Sequence, residues 1–267
     1  MSKIVAIANQ KGGVGKTTTA INLSASLGAR KRRVLLCDCD PQGNASSGLG
    51  VSKSNTKGMY DVLLRELPAK EAIIRTKWCD LLPGNRELVG ANIQLVEFEE
   101  RMYVLKNVLA GIRDRYDYIF IDCPPSLELL TLNALCAADT VLVPVQCEYY
   151  ALEGLSDLLQ TIQLANRRMN RSLEIEGIVL TMYDARNRLT DDVEKALKSR
   201  FGPKVYGTTI PRNVRLSEAP SHGKPCIAYD RMCKGSRAYL HLANEFLKRQ
   251  AIKVQNSSLP LSGDEKR

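Results

Sequence analysis

Long apolar runs are missing from this 267-residue chain. No stretch approaches the roughly 18 residues that a membrane-spanning helix needs. The apolar opening at residues 4–8 is far too short for a signal-peptide core and runs straight into Asn9, Gln10 and Lys11. A soluble, cytoplasmic protein is expected. Histidine is scarce, with only His222 and His241, and the eight cysteines include no CxxC pair. Zinc ligation needs clustered Cys and His, so a zinc site is excluded. Thiols set in apolar runs (Cys37, Cys39, Cys123, Cys147) read instead as small, reduced core residues. No internal repeat and no dividing linker is visible. Nor is there an aromatic-rich stretch on which bases could stack, so any nucleic-acid contact should go to phosphates.

What is present is charge of one sign and a regular alternation. The net charge is +9, with residues 1–150 holding 18 Lys/Arg against 16 Asp/Glu and residues 151–267 holding 20 against 13. A basic C-terminal half hints at a polyanionic partner. Short β-branched apolar runs at 4–8, 34–37, 118–121, 141–145 and 178–181 suit strands buried on both faces of a parallel sheet. Between them, residues 17–27, 87–112, 127–137, 151–170 and 191–201 read as helices, and 236–254 as a last long one. The implied fold is α/β, a doubly wound, mostly parallel sheet with helices on both faces. One domain over residues 1–254 is expected, with a surface loop at 43–57 and a frayed polar tail at 255–267.

The segment Lys11, Gly12, Gly13, Val14, Gly15, Lys16, Thr17, Thr18 lies between the first strand and the first helix, the setting that a phosphate loop requires. Its glycines let the backbone turn tightly and aim successive N–H groups inward, and the positive end of the helix dipole adds to that anion nest. Lys16 would reach the β- and γ-phosphates of ATP, and the Thr17 hydroxyl would ligate Mg²⁺. The general pattern asks for glycine where Gln10 stands, and an additional lysine, Lys11, follows it.

Three carboxylates complete this constellation. Asp38 and Asp40 follow the strand at 34–37, and Asp122 follows the strand at 118–121. Ligands of open α/β sheets sit outside the carboxyl ends of the strands, so all three should converge on the loop. Asp122 suits the metal role, directly or through water, with Asp38 a second contributor. Asp40, further out, could orient the attacking water.

With these residues in hand, the sequence resembles the ParA/Soj family of chromosome-partitioning ATPases over about residues 1–250. The matching stretches are Asn-Gln-Lys-Gly-Gly-Val-Gly-Lys-Thr-Thr-Thr at 9–19, Asp-Cys-Asp-Pro-Gln-Gly-Asn at 38–44, Asp-Cys-Pro-Pro-Ser at 122–126, and the long block at 210–225. The resemblance implies the P-loop NTPase fold and slow ATP hydrolysis. It also implies an ATP-bound homodimer in which Lys11, the signature lysine of a deviant Walker A loop, reaches the partner's nucleotide. Adenine contacts carry over onto Pro211 and Asn213, in the loop after a strand expected at 205–210. Non-specific DNA binding at the nucleoid carries over onto Arg186 and Arg215. A ParB/Spo0J-type partner would stimulate hydrolysis and release the DNA. Arg188, Arg212, Lys195, Lys198 and Arg200 are further basic candidates nearby. A MinD-like membrane-positioning ATPase shares the deviant loop but ends in a short amphipathic basic helix, whereas this chain's end carries Pro260 and Gly263. No stable membrane association is expected.

Overall fold

The computed structural model describes residues 2–53, 57–148 and 151–258. Its seven strands are β1 (Lys3–Ile7), β2 (Val34–Asp38), β3 (Ile74–Arg75), β4 (Asp80–Leu82), β5 (Tyr118–Asp122), β6 (Thr140–Gln146) and β7 (Glu174–Thr181). They form one sheet in the order β3-β4-β2-β5-β1-β6-β7, parallel except for the β3–β4 pair. The five apolar runs are five adjacent strands of it, β2, β5, β1, β6 and the edge strand β7. Their residues alternate between two cores, as the period of two demands. Ile4 and Ala6, Leu35 and Cys37, and Ile119 and Ile121 point to one face. Val5 and Ile7, Val34 and Leu36, and Phe120 point to the other. Because both faces are covered, the strands read as continuous apolar runs.

The second face is closed by the phosphate-loop helix Lys16–Gly28 and the last helix Lys234–Ser258, which pack against each other through Ala20, Leu23 and Leu27 on one side and Tyr239, Leu242 and Phe246 on the other. Tyr118 meets Phe246 edge-on at 5.2 Å between ring centroids, anchoring that helix to the sheet. The first face is covered by Leu88–Gln94, Val104–Ala110, Leu129–Ala137 and Ala151–Arg168.

Several expectations are corrected. The segment 87–112 is two helices joined by a 3₁₀ turn and an irregular stretch. The buried Asn133 side chain breaks it, donating to the Arg101 carbonyl at 2.7 Å and accepting from the Leu105 N–H at 3.1 Å. The segment 205–210 is no strand; Val205 makes an isolated bridge to Ile178, and Pro211, just beyond it, makes another to Tyr183. The surface loop at 43–57 contains a short helix, Asn44–Gly48. The last helix runs past residue 254 to Ser258; the rest of the expected tail, with Pro260 and Gly263, lies outside the described residues. Among the described residues, no helix is long and apolar enough to cross a membrane.

Candidate nucleotide site

The phosphate loop bridges β1 and the helix that starts at Lys16. Gly13 at φ 77° and Gly15 at φ 87° hold the left-handed conformations that the tight turn needs. Gly12 adopts no such conformation, so the sequence reading, which gave all three glycines the same role, is too broad. The loop is pinned from outside itself. Asn9 donates to the Pro144 carbonyl at 2.8 Å and accepts from the Lys11 N–H at 3.0 Å. Thr181, ending β7, donates to the Val14 carbonyl at 2.8 Å. Gln10, in place of the usual glycine, donates to Thr161 Oγ1 at 3.2 Å.

Lys16 is buried, and its ammonium folds back onto the Lys11 carbonyl at 3.0 Å. Burial lowers its pKa, opposed first by the nearby Asp122. Lys11 points elsewhere. It forms an ion pair with Glu148 just after β6, both side chains remaining partly exposed.

The three carboxylates do converge at the carboxyl ends of β2 and β5, where Asp38 and Asp122 stand opposite each other in register. Asp122 is fully buried, and neither of its oxygens has a hydrogen-bond partner among the described residues. Burial pushes its pKa well up and Asp38 adds to the rise, while the Thr17 hydroxyl and the Lys16 ammonium pull the other way. Two orphaned carboxylate oxygens beside a hydroxyl are a donor set that fits Mg²⁺ with its water shell. Asp38 is occupied differently. Its Oδ2 accepts from the Ser46 N–H at 2.8 Å and the Ser46 hydroxyl at 2.7 Å, and its Oδ1 from the Asp40 N–H at 3.3 Å. Asp40 accepts from the Gln42 N–H at 2.9 Å through one oxygen and is almost buried.

Next to the loop is a cavity of about 580 Å³, whose lining includes Gly15, Thr17 and Thr18 of the phosphate loop and helix together with Met182, Pro211 and Asn213. Asn213 caps the helix Val214–Glu218 by accepting from the Arg215 N–H at 3.1 Å. Met182, which lines this cavity, sits at φ 50°, a conformation unusual for a non-glycine residue.

The two arginines assigned to DNA are exposed and already paired. Arg186 makes a two-pronged contact with Asp184, both bonds at 2.9 Å, which holds that carboxyl down to about 2. Arg215 binds Glu218 at 2.7 Å and lies 3.6 Å from Asp230. Lys198 pairs with Glu194. Arg188, Lys195, Arg200 and Arg212 form no salt bridge among the described residues, although Arg212 lies near enough to Asp184 to help hold its carboxyl down.

Sequence reasoning missed Glu148, Ser46, Thr181 and Met182. Ser46 lies in the expected loop and Thr181 at a strand end, but no local pattern marks either as part of the site. Only the sheet order brings β6 and β7 to the phosphate loop.

The pattern of the AAA domain family matches residues 2–175. The chain is 52% identical over 253 residues to the chromosome partitioning protein ParA of Caulobacter vibrioides, covering 93% of this chain and 95% of that one. It is 54% identical over 248 residues to the sporulation initiation inhibitor protein Soj of Bacillus subtilis, covering 92% and 98%. Among solved structures, cobyrinic acid a,c-diamide synthase from Mycobacterium smegmatis, with bound ADP and magnesium, matches at a TM-score of 0.83 and 37% identity, covering 94% of this chain and 96% of that one.

Proposed function

This chain belongs to the ParA/Soj family of chromosome-partitioning ATPases, and we propose that it works as an ATP-timed switch on DNA. The observation that carries this reading is the buried Lys16 at the mouth of the phosphate loop beside the orphaned carboxylate of Asp122. Lys16, the loop N–H groups and Thr18 hold the phosphates, and Pro211 and Asn213 line the adenine end of the cavity. Thr17 and Asp122 would hold Mg²⁺, which when bound neutralises charge between the β- and γ-phosphates. Asp38, its oxygens taken by Ser46 and Asp40, contributes from behind by fixing the loop that carries Asp40. Asp40 keeps one oxygen for a water in line with the γ-phosphate.

Lys11 is the part of the loop that serves a second subunit. Leaving Glu148, it would neutralise phosphate charge on the partner's nucleotide and so couple ATP to a homodimer. The dimer doubles the number of cations offered to DNA, Arg186 and Arg215 together with Arg188, Lys195, Arg200 and Arg212. The pairing of Arg186 with Asp184 and of Arg215 with Glu218 supports weak individual contacts, because each arginine exchanges a carboxylate for a phosphate. A ParB-type partner would then trigger hydrolysis and release at the nucleoid.

Binding of this protein to random-sequence duplex, with ATP, with ADP and without nucleotide, across a salt series, tests the reading. If a dimer neutralises roughly six phosphates, log K should fall with log salt at a slope of about −5, in ATP alone. Addition of a ParB-type partner should shorten the ATP-dependent binding. A flat salt response, or equal binding in ADP, would remove the DNA switch.

A further inference from the structure

A second polar cavity, of about 360 Å³, opens at the opposite end of the sheet from the phosphate loop. It lies where β2, β4 and β5 begin, and its wall includes Arg32, Arg33, Arg75, Lys77, Arg115 and Trp78. Two acids offset part of that charge. Asp117 takes the Arg33 guanidinium at 3.0 Å and the Arg33 N–H at 2.8 Å. Asp80 stands opposite Arg75 across the β3–β4 pair and accepts from the Tyr116 hydroxyl at 2.8 Å. Arg32, Arg75, Lys77 and Arg115 form no salt bridge among the described residues. The cavity therefore carries a surplus of positive charge, and low-dielectric walls concentrate such a field on whatever anion enters.

The wall is built rather than loose. The Thr76 hydroxyl donates to the Cys79 carbonyl at 2.6 Å and accepts from the Trp78 and Cys79 N–H groups at 3.2 and 3.3 Å, fixing the turn that carries Lys77 and Trp78. That turn rests directly on the end of the phosphate-loop helix, where the Trp78 carbonyl occupies the space that a side chain at Gly28 would need. The carbonyls of Leu27 and Gly28 at this helix end are themselves bonded to the N–H groups of Arg30, Lys31 and Arg32. Cys79 and Tyr116, both buried, belong to the same wall.

We propose that this cavity binds a compact polyphosphate anion, of the class of inorganic pyrophosphate and the phosphate tail of a nucleoside polyphosphate. The volume sits at the small end of ligand pockets, about 300 to 1,000 Å³. Several cations converging on one concavity match an ion with several charges close together, through charge-assisted hydrogen bonds. A duplex is a convex rod and would meet only the rim, so the geometry favours the small anion over DNA. This inference does not depend on how the phosphate loop is read.

Trp78 is the only tryptophan in the chain and lines the cavity, so its fluorescence reports the site directly. The titration uses the full chain carrying Lys16→Ala, which weakens the phosphate-loop site, with pyrophosphate as the probe and Mg²⁺ absent. A saturable change is expected, weakened about tenfold or more by Arg75→Ala combined with Lys77→Ala. Both side chains are exposed, and unchanged thermal unfolding would confirm that the variant is folded. A nucleoside diphosphate that binds as tightly as pyrophosphate assigns recognition to the phosphates alone; tighter binding adds the nucleoside. No saturable change, the same affinity in the double variant, or an equal response to potassium chloride at matched ionic strength would overturn the proposal. A short duplex that displaced pyrophosphate and bound more tightly than it would assign the surface to DNA instead.

Discussion

Asp38 and Asp122 end adjacent strands side by side, two buried acids with opposite arrangements. Asp38 spends both oxygens on three hydrogen bonds, whereas Asp122 has none among the described residues. Burial raises the Asp38 pKa to about 6 in spite of those bonds, and Asp40 adds to the rise. A carboxyl whose folded pKa lies above its unfolded value keeps its proton in the native state over a range where the unfolded chain has lost it. The native state therefore loses stability as pH rises from about 4 to about 6, and carries the full cost above that. In Asp38→Asn that contribution disappears. Without nucleotide, the unfolding free energy of the variant should fall less between pH ~5 and pH ~7 than that of the parent, by on the order of 1 kcal/mol. Denaturant titrations in chelator at several pH values measure it, and parallel profiles would assign the slope to other groups. These acids were legible in the sequence because an acid directly after an apolar strand has a fixed place at the sheet's carboxyl edge. Their differing duties were not, since Ser46 reaches Asp38 from an expected loop eight residues on.

At the scale of elements, periodicity located the five longer strands β1, β2, β5, β6 and β7 and failed where a tertiary side chain overrode it. Residues 87–112 carry enough apolar spacing for one helix, yet Asn133 enters from the helix Leu129–Ala137 and satisfies backbone groups on both sides of a break. A break of this kind is stable only because the freed N–H and C=O find that amide. The strands β3 and β4 were missed for a simpler reason: at two and three residues they are too short to show a period. The expected strand at 205–210 fails because Val205 finds only an isolated bridge to β7, and Pro211 just beyond it another to Tyr183, with no continuous ladder. Asn133→Ala should strand the buried Leu105 N–H and leave the part-buried Arg101 carbonyl without its partner, at about 1–3 kcal/mol for each group. Urea denaturation should show a loss of roughly 2–4 kcal/mol, with ADP affinity at the distant phosphate loop unchanged. A loss below about 0.5 kcal/mol would mean that water or a rearranged turn replaces the amide.

For the whole molecule, the phosphate loop presents an asymmetry that a single chain does not use. A Cβ built on Gly12 meets nothing within 4 Å, so the fold itself has room for a larger residue there. Gly12→Val should then fold with near-parental stability and bind ATP. If a second subunit covers this face, the valine collides with it, and gel filtration in ATP should give a monomer where the parent gives a dimer. The opposite change comes from Glu148→Gln, which releases Lys11 without altering shape. That ion pair is half-exposed, and such pairs contribute about 0–1 kcal/mol. The variant should dimerise at an ATP concentration only a few-fold lower than the parent needs. The two substitutions test one arrangement from opposite sides. Dimers of Gly12→Val would place the loop at a solvent-facing edge and take Lys11 out of any exchange between subunits. Unchanged dimerisation of Glu148→Gln, with Gly12→Val monomeric, would keep the interface and leave Glu148 as a bystander to Lys11.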